Sequence, residues 1–489
     1  LNNKVIPYKF DPISETLYVL TYEPYINIST INTIKFIHKI AKNVVFQPTK
    51  LSTINNLLSS LYIGLEKDIH KETTTTSSDI EIETLQEKYI IYSSQIIQSP
   101  NINDKNITGL VDHLFFAAFQ KNTSDIHIEP TENDLVIRFR VDGVLEIFKR
   151  LPLDIKDNII ARIKILAGLD ISEKRKPQDG KIRLYIDDKR IEMRVSTVST
   201  VFGEKVVLRV QIPENILNRK LEDFGFENFE LEKILKAISK PYGMILITGP
   251  TGSGKTSTLY AMLQKINKPE INIMTAEDPV EVNVPGINQV EIDERAGKTF
   301  ANTLRAFLRQ DPDVILVGEI RDSETADIAV RAALTGHLVL STLHTNDAPS
   351  AIVRLQDLGI KGFLISSSLL LISAQRLIRK LCDKCKEPYT PSSFEVEQFG
   401  LGDVKTIYKA HEGGCEHCNG KGYKGRTIIT ELLEINDDLR IAIQNNKTTN
   451  EIREIAASAN MKTLFESGMI KVKKGITSIL EVQRVTLEY

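Results

Sequence analysis

The octet Gly249-Pro250-Thr251-Gly252-Ser253-Gly254-Lys255-Thr256 holds the residue types that grip a phosphate chain. Glycines let a backbone curl until several N–H groups point inward at phosphate oxygens. The lysine after them reaches the β- and γ-phosphates, and the next hydroxyl serves Mg²⁺. The apolar run Met244-Ile245-Leu246-Ile247 precedes the octet, and a helical pattern from Thr258 to Ile266 follows it. Strand, glycine loop and helix in this order are the context such a loop requires. Gly249, Pro250, Thr251, Gly252, Ser253, Gly254, Lys255, Thr256 and Ser257 are therefore the candidate nucleoside triphosphate site, with Thr256 on the magnesium. The competing reading is a glycine-rich turn with no ligand.

Phosphoryl transfer also needs a carboxylate on or near the metal and a group that orients the attacking water. Two glutamates follow apolar runs that read as strands: Glu277, in Glu277-Asp278-Pro279, and Glu319, after Val314-Ile315-Leu316-Val317-Gly318. His337 and His344 flank a further run, Leu338 to Ser341. In an open parallel sheet, ligands bind beyond the carboxyl ends of the strands. Glu277, Glu319 and His344 are thus candidate catalytic residues. The division of labour between the glutamates stays open, either one reads also as a surface carboxylate, and His337 reads equally as a structural histidine.

The four cysteines, Cys382, Cys385, Cys415 and Cys418, form two C-x-x-C pairs separated by 29 residues. None is left over, and no export signal is readable, so the set reads as four thiolates around one structural Zn²⁺. Gly413, Gly414, Gly420 and Gly422 flank the second pair and suit a tight metal knuckle. Two unrelated reduced pairs or a redox dithiol are the alternatives.

The elements that must position these groups come from a chain of 489 residues, too long for one core. It is 42% hydrophobic and 26% charged, with a net charge of −2, so no basic field draws it to nucleic acid. The longest membrane candidate, Phe363 to Ala374, is too short to span a bilayer and is broken by serines. Residues 1–70 read as a small mixed module, with a strand at Leu17 to Thr21 and a helix at Ile31 to Ala41. The polar stretch Lys71 to Asp79 lies in a linker over 71–104. A helix from Leu110 to Phe119 then opens a sheet domain over 105–213. Its hairpins turn at Asp142-Gly143 and Asp187-Asp188, and a strand from Lys205 to Gln211 follows. From Met244, nearly continuous apolar strands alternate with helices, which predicts a parallel sheet covered on both faces over 214–378. The cysteine segment occupies 379–425, and 426–489 reads as mainly helical.

The octet resembles the Walker A loop of the secretion ATPase superfamily. Thr275-Ala276-Glu277-Asp278-Pro279-Val280-Glu281, Leu308-Arg309-Gln310-Asp311-Pro312-Asp313, Gly318-Glu319-Ile320-Arg321-Asp322 and Leu334-Thr335-Gly336-His337-Leu338 through His344-Thr345-Asn346 resemble, in order, its Asp box, Walker B and His box segments. The four motifs occur in order, over about residues 105 to 489. The cysteine pairs, with Gly422-Tyr423-Lys424-Gly425-Arg426, resemble the zinc segment of the type II secretion and type IV pilus assembly motors. The resemblance implies a RecA-like P-loop ATPase core of α/β class, preceded by a PAS-like α+β domain and a small N-terminal platform-docking domain. It implies a homohexameric ring that hydrolyses ATP with Mg²⁺, stays cytoplasmic, and meets the inner membrane through assembly-platform proteins. It also implies that Arg194 and Arg209 of the sheet domain, and the pair Arg305 and Arg309, approach the nucleotide. Arg305 and Arg309 are four apart on a predicted helix, Thr299 to Arg309, and would share a face. Type II secretion is the expected system, with a pilus or DNA-uptake motor as the alternative. A nucleotide-binding scaffold and a nucleic-acid translocase are the remaining readings.

Overall fold

The computed structural model describes residues 5–11, 16–21, 43–48, 89–91 and 106–486. The chain divides into two compact units, Leu1–Leu85 and Gln86–Tyr489. In the first, β1 (Val5–Asp11) pairs antiparallel with β2 (Thr16–Thr21), and β2 pairs parallel with β3 (Asn43–Pro48). The strand expected at Leu17 to Thr21 is β2. The helix expected at 31–41 and the linker over 71–104 fall outside the described residues, except for one short strand.

That strand, β4 (Tyr89–Ile91), belongs to the sheet domain of the second unit. It joins β5 (Asp125–Pro130), β6 (Asp134–Val141), β7 (Val144–Pro152), β8 (Gln178–Ile186), β9 (Lys189–Thr200) and β10 (Gly203–Gln211) in the order β4-β8-β9-β10-β5-β6-β7. Alternate residues point inward, as the hairpin patterning predicts: Ile126 and Ile128 on β5, Ile191, Met193 and Val195 on β9. They meet the helices Ile107–Gln120 and Lys156–Ala167 in one apolar core.

The second sheet carries the phosphate loop. Its strands are β11 (Gly243–Thr248), β12 (Ile273–Glu277), β13 (Asn288–Glu291), β14 (Val314–Val317), β15 (Leu338–Leu343), β16 (Leu369–Leu381) and, after a small pair β17 (Glu387–Tyr389) and β18 (Ile407–Lys409), β19 (Tyr423–Glu434). The order is β13-β12-β14-β15-β11-β16-β19, parallel throughout except for β16 against β19. Burial on both faces explains the unbroken apolar runs. Met244 and Leu246 face a core shared with the helices Phe300–Phe307, Ser323–Leu334 and Ala348–Asp357. Ile245 and Ile247 face the opposite core, with the helices Asn228–Ile238 and Lys255–Ile266.

One expectation changes. Residues 423–434 are a strand completing the core sheet, and the C-terminal helices begin only at Asp437. The β-branched run Thr427-Ile428-Ile429-Thr430 suits the pleated, buried surface it occupies. The stretch 363–374 divides between the short helix Gly362–Ser368 and β16. No helix among the described residues is long and apolar enough to cross a membrane.

Lys164 of the sheet domain is 1% exposed and lies 2.5 Å from Glu204. Glu204→Ala would strand a buried ammonium and lower unfolding stability by about 3–5 kcal/mol. The pair Lys164→Met with Glu204→Leu should recover most of that. Urea midpoints of the wild type and these two variants check both.

Candidate functional site

The phosphate loop leaves β11 at its carboxyl end and runs into the helix Lys255–Ile266. Gly249, Gly252 and Gly254 have φ of 138°, 80° and 89°, in the region where side chains are strained. Gly249 also has no room: an added Cβ would stand 2.5 Å from the Gln375 carbonyl oxygen. The Lys255 ammonium donates to the Gly249 oxygen at 2.8 Å and the Pro250 oxygen at 3.1 Å. Burial pulls its pKa below the ordinary lysine range, while Glu319 opposes that pull.

Glu277 ends β12 and is buried. One carboxylate oxygen accepts from the Tyr260 hydroxyl at 2.5 Å. The other accepts from the Thr275 hydroxyl at 2.6 Å and the Gln289 amide at 3.1 Å. Glu319 lies just past β14. It pairs with Arg321 through one oxygen and with His344 Nε2, at 3.1 Å, through the other. Burial acts to raise its pKa, but Arg321 and His344 outweigh burial and hold it below the usual carboxylate range. His337 Nδ1 instead lies 3.0 Å from the Ala332 oxygen at the end of the helix Ser323–Leu334, a structural contact.

All these strand ends open into one cavity of about 840 Å³ between the sheet domain and the core. Thr251, Gly252, Ser253, Gly254, Lys255, Thr256 and Ser257 line it, with Glu277, Glu319 and His344. From the sheet domain come Asp125, His127, Arg140 and Arg209, and Arg219 and Arg426 add two further cations. Arg209 is tied to Asp125 at 3.3 Å. Arg194 does not line this cavity. It is held by Glu281 at 3.0 Å and by the Val280 oxygen at 3.0 Å, and Gln211 bonds Glu281 as well. A second clasp joins the domains at the hairpin turn, where Asp142 accepts from the Gly425 N–H at 2.9 Å and Glu146 pairs with Lys421 at 2.6 Å.

Arg305 and Arg309 do not line the cavity either. Arg305 pairs with Glu324. The expected shared helix face is absent, because the helix ends at Phe307 and Arg309 lies beyond it, donating to the Arg305 oxygen at 2.8 Å. Asp311, before Pro312, has φ of 50°, which the helix cannot continue through.

The motif reading missed the groups that brace the loop. Gln375 on β16 is fully buried, donates to the Ser253 oxygen at 3.0 Å and accepts from the Thr258 hydroxyl at 3.2 Å. Arg376 donates to Asn346 in the loop after His344, at 3.3 Å to its side chain. Glu431 on β19 accepts from the Ala348 N–H at 3.0 Å, and Arg453 pairs with Asp347 at 3.0 Å. The available signal was a polar Gln375-Arg376 pair inside an apolar run.

The four cysteine sulfurs lie within 4.8 Å of one another. Cys382–Cys415, Cys385–Cys418 and Cys415–Cys418 are each 3.8 Å apart. A tetrahedron with metal–sulfur bonds of about 2.3 Å has edges of about 3.8 Å, so the spacing fits zinc. Backbone N–H groups of Cys415 and Gly422 point at the Cys418 sulfur, at 3.2 and 3.1 Å. The cluster could hold a metal, and closure by four protein ligands suits a structural one.

A family model described as "Type II/IV secretion system protein" matches residues 101–484. The type IV pilus assembly ATPase PilB of Thermus thermophilus is 48% identical over 80% of this chain, which spans 44% of that protein's length. The type II secretion system protein E of Dickeya dadantii is 47% identical over 84% of this chain and 81% of its own. Among solved structures, the pilus retraction motor PilT with bound ADP superposes with a TM-score of 0.52 at 27% identity, over 76% of this chain and 96% of its own.

Burial pushes the Glu431 carboxyl up to about 7, with Asp347 adding to the rise and the Ala348 N–H and Arg453 opposing it. The folded chain thus holds this proton more tightly than the unfolded chain. Its contribution is complete below the ordinary carboxylate range and is lost as pH rises through 7. Glu431→Gln should therefore gain stability over wild type on the order of 2–3 kcal/mol between about pH 5 and about pH 8. Thermal unfolding across that range reads the difference.

Proposed function

Because the chain belongs to the type II/IV secretion system protein family, we propose that its cleft is the working site of a P-loop ATPase that drives assembly of a pilus or pseudopilus. The observation that carries this reading is the single cavity in which the phosphate loop, Glu277, Glu319, His344 and cations of the sheet domain meet. The loop N–H groups and Lys255 hold the phosphates of ATP, and Thr256 offers its hydroxyl to Mg²⁺. Mg²⁺, when bound, neutralises charge on the phosphate chain. Glu319, beside Lys255 and His344, serves the metal side. Glu277, with both oxygens fixed by neighbours, orients the water that attacks the γ-phosphate. His344 fixes Glu319.

Arg209 reaches the nucleotide from the sheet domain, and Arg194 does so once it leaves Glu281. Nucleotide binding then competes with a domain clasp, which converts occupancy into a change of domain angle. No role in the cleft of their own chain is assigned to Arg305 and Arg309. The ring is a homohexamer at the cytoplasmic face of the inner membrane, held there by assembly-platform proteins. Relatives from pilus assembly and from type II secretion match at near-equal identity, which supports either system. Zn²⁺ in the four-cysteine site is structural.

Lys255→Ala should abolish ATP hydrolysis, and Glu319→Gln should cut kcat by about a hundredfold or more while nucleotide still binds. Steady-state hydrolysis with simultaneous mass determination tests both, and places wild-type turnover in the hexameric fraction. Elemental analysis should find about one zinc per chain, lost in Cys418→Ser together with several degrees of thermal stability.

A further inference from the structure

Tyr260 is a fully buried tyrosine on the helix that begins with Lys255. Thr256 and Tyr260 are four apart and lie on one face of that helix. The phenol donates to Glu277, and it accepts the Glu281 N–H at 3.3 Å. Glu281 in turn holds Arg194 and Gln211 of the sheet domain. One side chain thus touches both the carboxylate at the end of β12 and the backbone of the residue that clasps the two domains together.

We propose that Tyr260 is a positioning residue for hydrolysis, holding one oxygen of Glu277 while Thr275 and Gln289 hold the other, and that it links this carboxylate to the interdomain clasp. The proposal rests on the reading of Glu277 as the water-orienting group. Burial, and then the Glu277 charge, raise the phenol far above its ordinary range, so it remains a donor at working pH. A carboxylate with both oxygens hydrogen-bonded cannot rotate freely. An orienting group needs that rigidity, because a misplacement of about 1 Å costs about a hundredfold in rate.

Tyr260→Phe removes the hydroxyl and keeps the ring that fills the core. In the full-length assembled protein, kcat should fall about ten- to hundredfold, with KM and affinity for a fluorescent ADP analogue unchanged. A merely structural tyrosine would lower melting temperature and affinity together. The cycle with Glu277→Gln adds a second readout: Tyr260→Phe/Glu277→Gln should be no slower than Glu277→Gln alone. Wild-type kcat in Tyr260→Phe, a raised KM with intact kcat, or losses that multiply in the double variant would overturn the proposal. If Glu277→Gln itself turns over normally, the reading of Glu277 fails and the proposal falls with it. A slow Glu277→Gln beside a normal Tyr260→Phe removes only the role of Tyr260. If Tyr260→Phe does not fold, Thr275→Val combined with Gln289→Leu frees the other oxygen and tests the premise that fixing Glu277 sets kcat: wild-type kcat in that pair would overturn the proposal.

Discussion

A completely buried amide must satisfy its donor and its acceptor inside the protein, and Gln375 does so on the phosphate loop. Within the loop, the Lys255 ammonium on the Gly249 and Pro250 oxygens is the other brace. The loop glycines contribute no side chains, and the Gln375 main chain presses so closely on Gly249 that no Cβ fits between them. Removing the amide would leave the Ser253 carbonyl and the Thr258 hydroxyl searching for partners at the base of the site. The central neighbour of β11 is therefore both a strand of the sheet and the wall that shapes the cradle.

The residue after Gln375 points to the other half of the chemistry. Arg376 holds Asn346, Glu431 on the neighbouring strand holds Ala348, and Arg453 holds Asp347. These three anchors fix the segment that follows His344, and His344 in turn fixes Glu319. The antiparallel pair β16–β19 thus supports both the phosphate loop and the histidine loop, from strands that contribute no residue to the Walker A, Asp box, Walker B or His box segments. Tyr260 serves the remaining glutamate from the opposite side of the sheet.

Much of this was legible in the sequence where the information is local. The glycine octet, the glutamates after apolar runs and the paired cysteines are short-range patterns whose chemistry dictates their spacing. The bracing groups were not legible, because Gln375 meets Ser253 across 122 residues and Glu431 meets Ala348 across 83. A glutamine in a strand has no pattern that names its partner. Residues 426–434 were read as part of a helical region although four β-branched residues in a row favour a strand. Arg194 was assigned to the nucleotide by likeness alone, and its partnership with Glu281 joins two domains whose meeting no single motif encodes.

The cysteine cluster stands where β16 ends and β19 begins, so four sulfurs close the tip of the pair that braces the site. Side chains alternate along a strand, so sliding β19 by one residue against β16 would turn Glu431 away from Ala348. A metal held by the four sulfurs would tie the strands at Cys382 and Cys418 and oppose that slip. The excursion between the two pairs is under no such restraint. Residues added at exposed positions such as Gly402 or Asp403 lengthen a closed loop, and the cost of that grows only slowly with length. The chain can therefore grow new surface for new neighbours at this one point while the distances that matter for hydrolysis stay fixed.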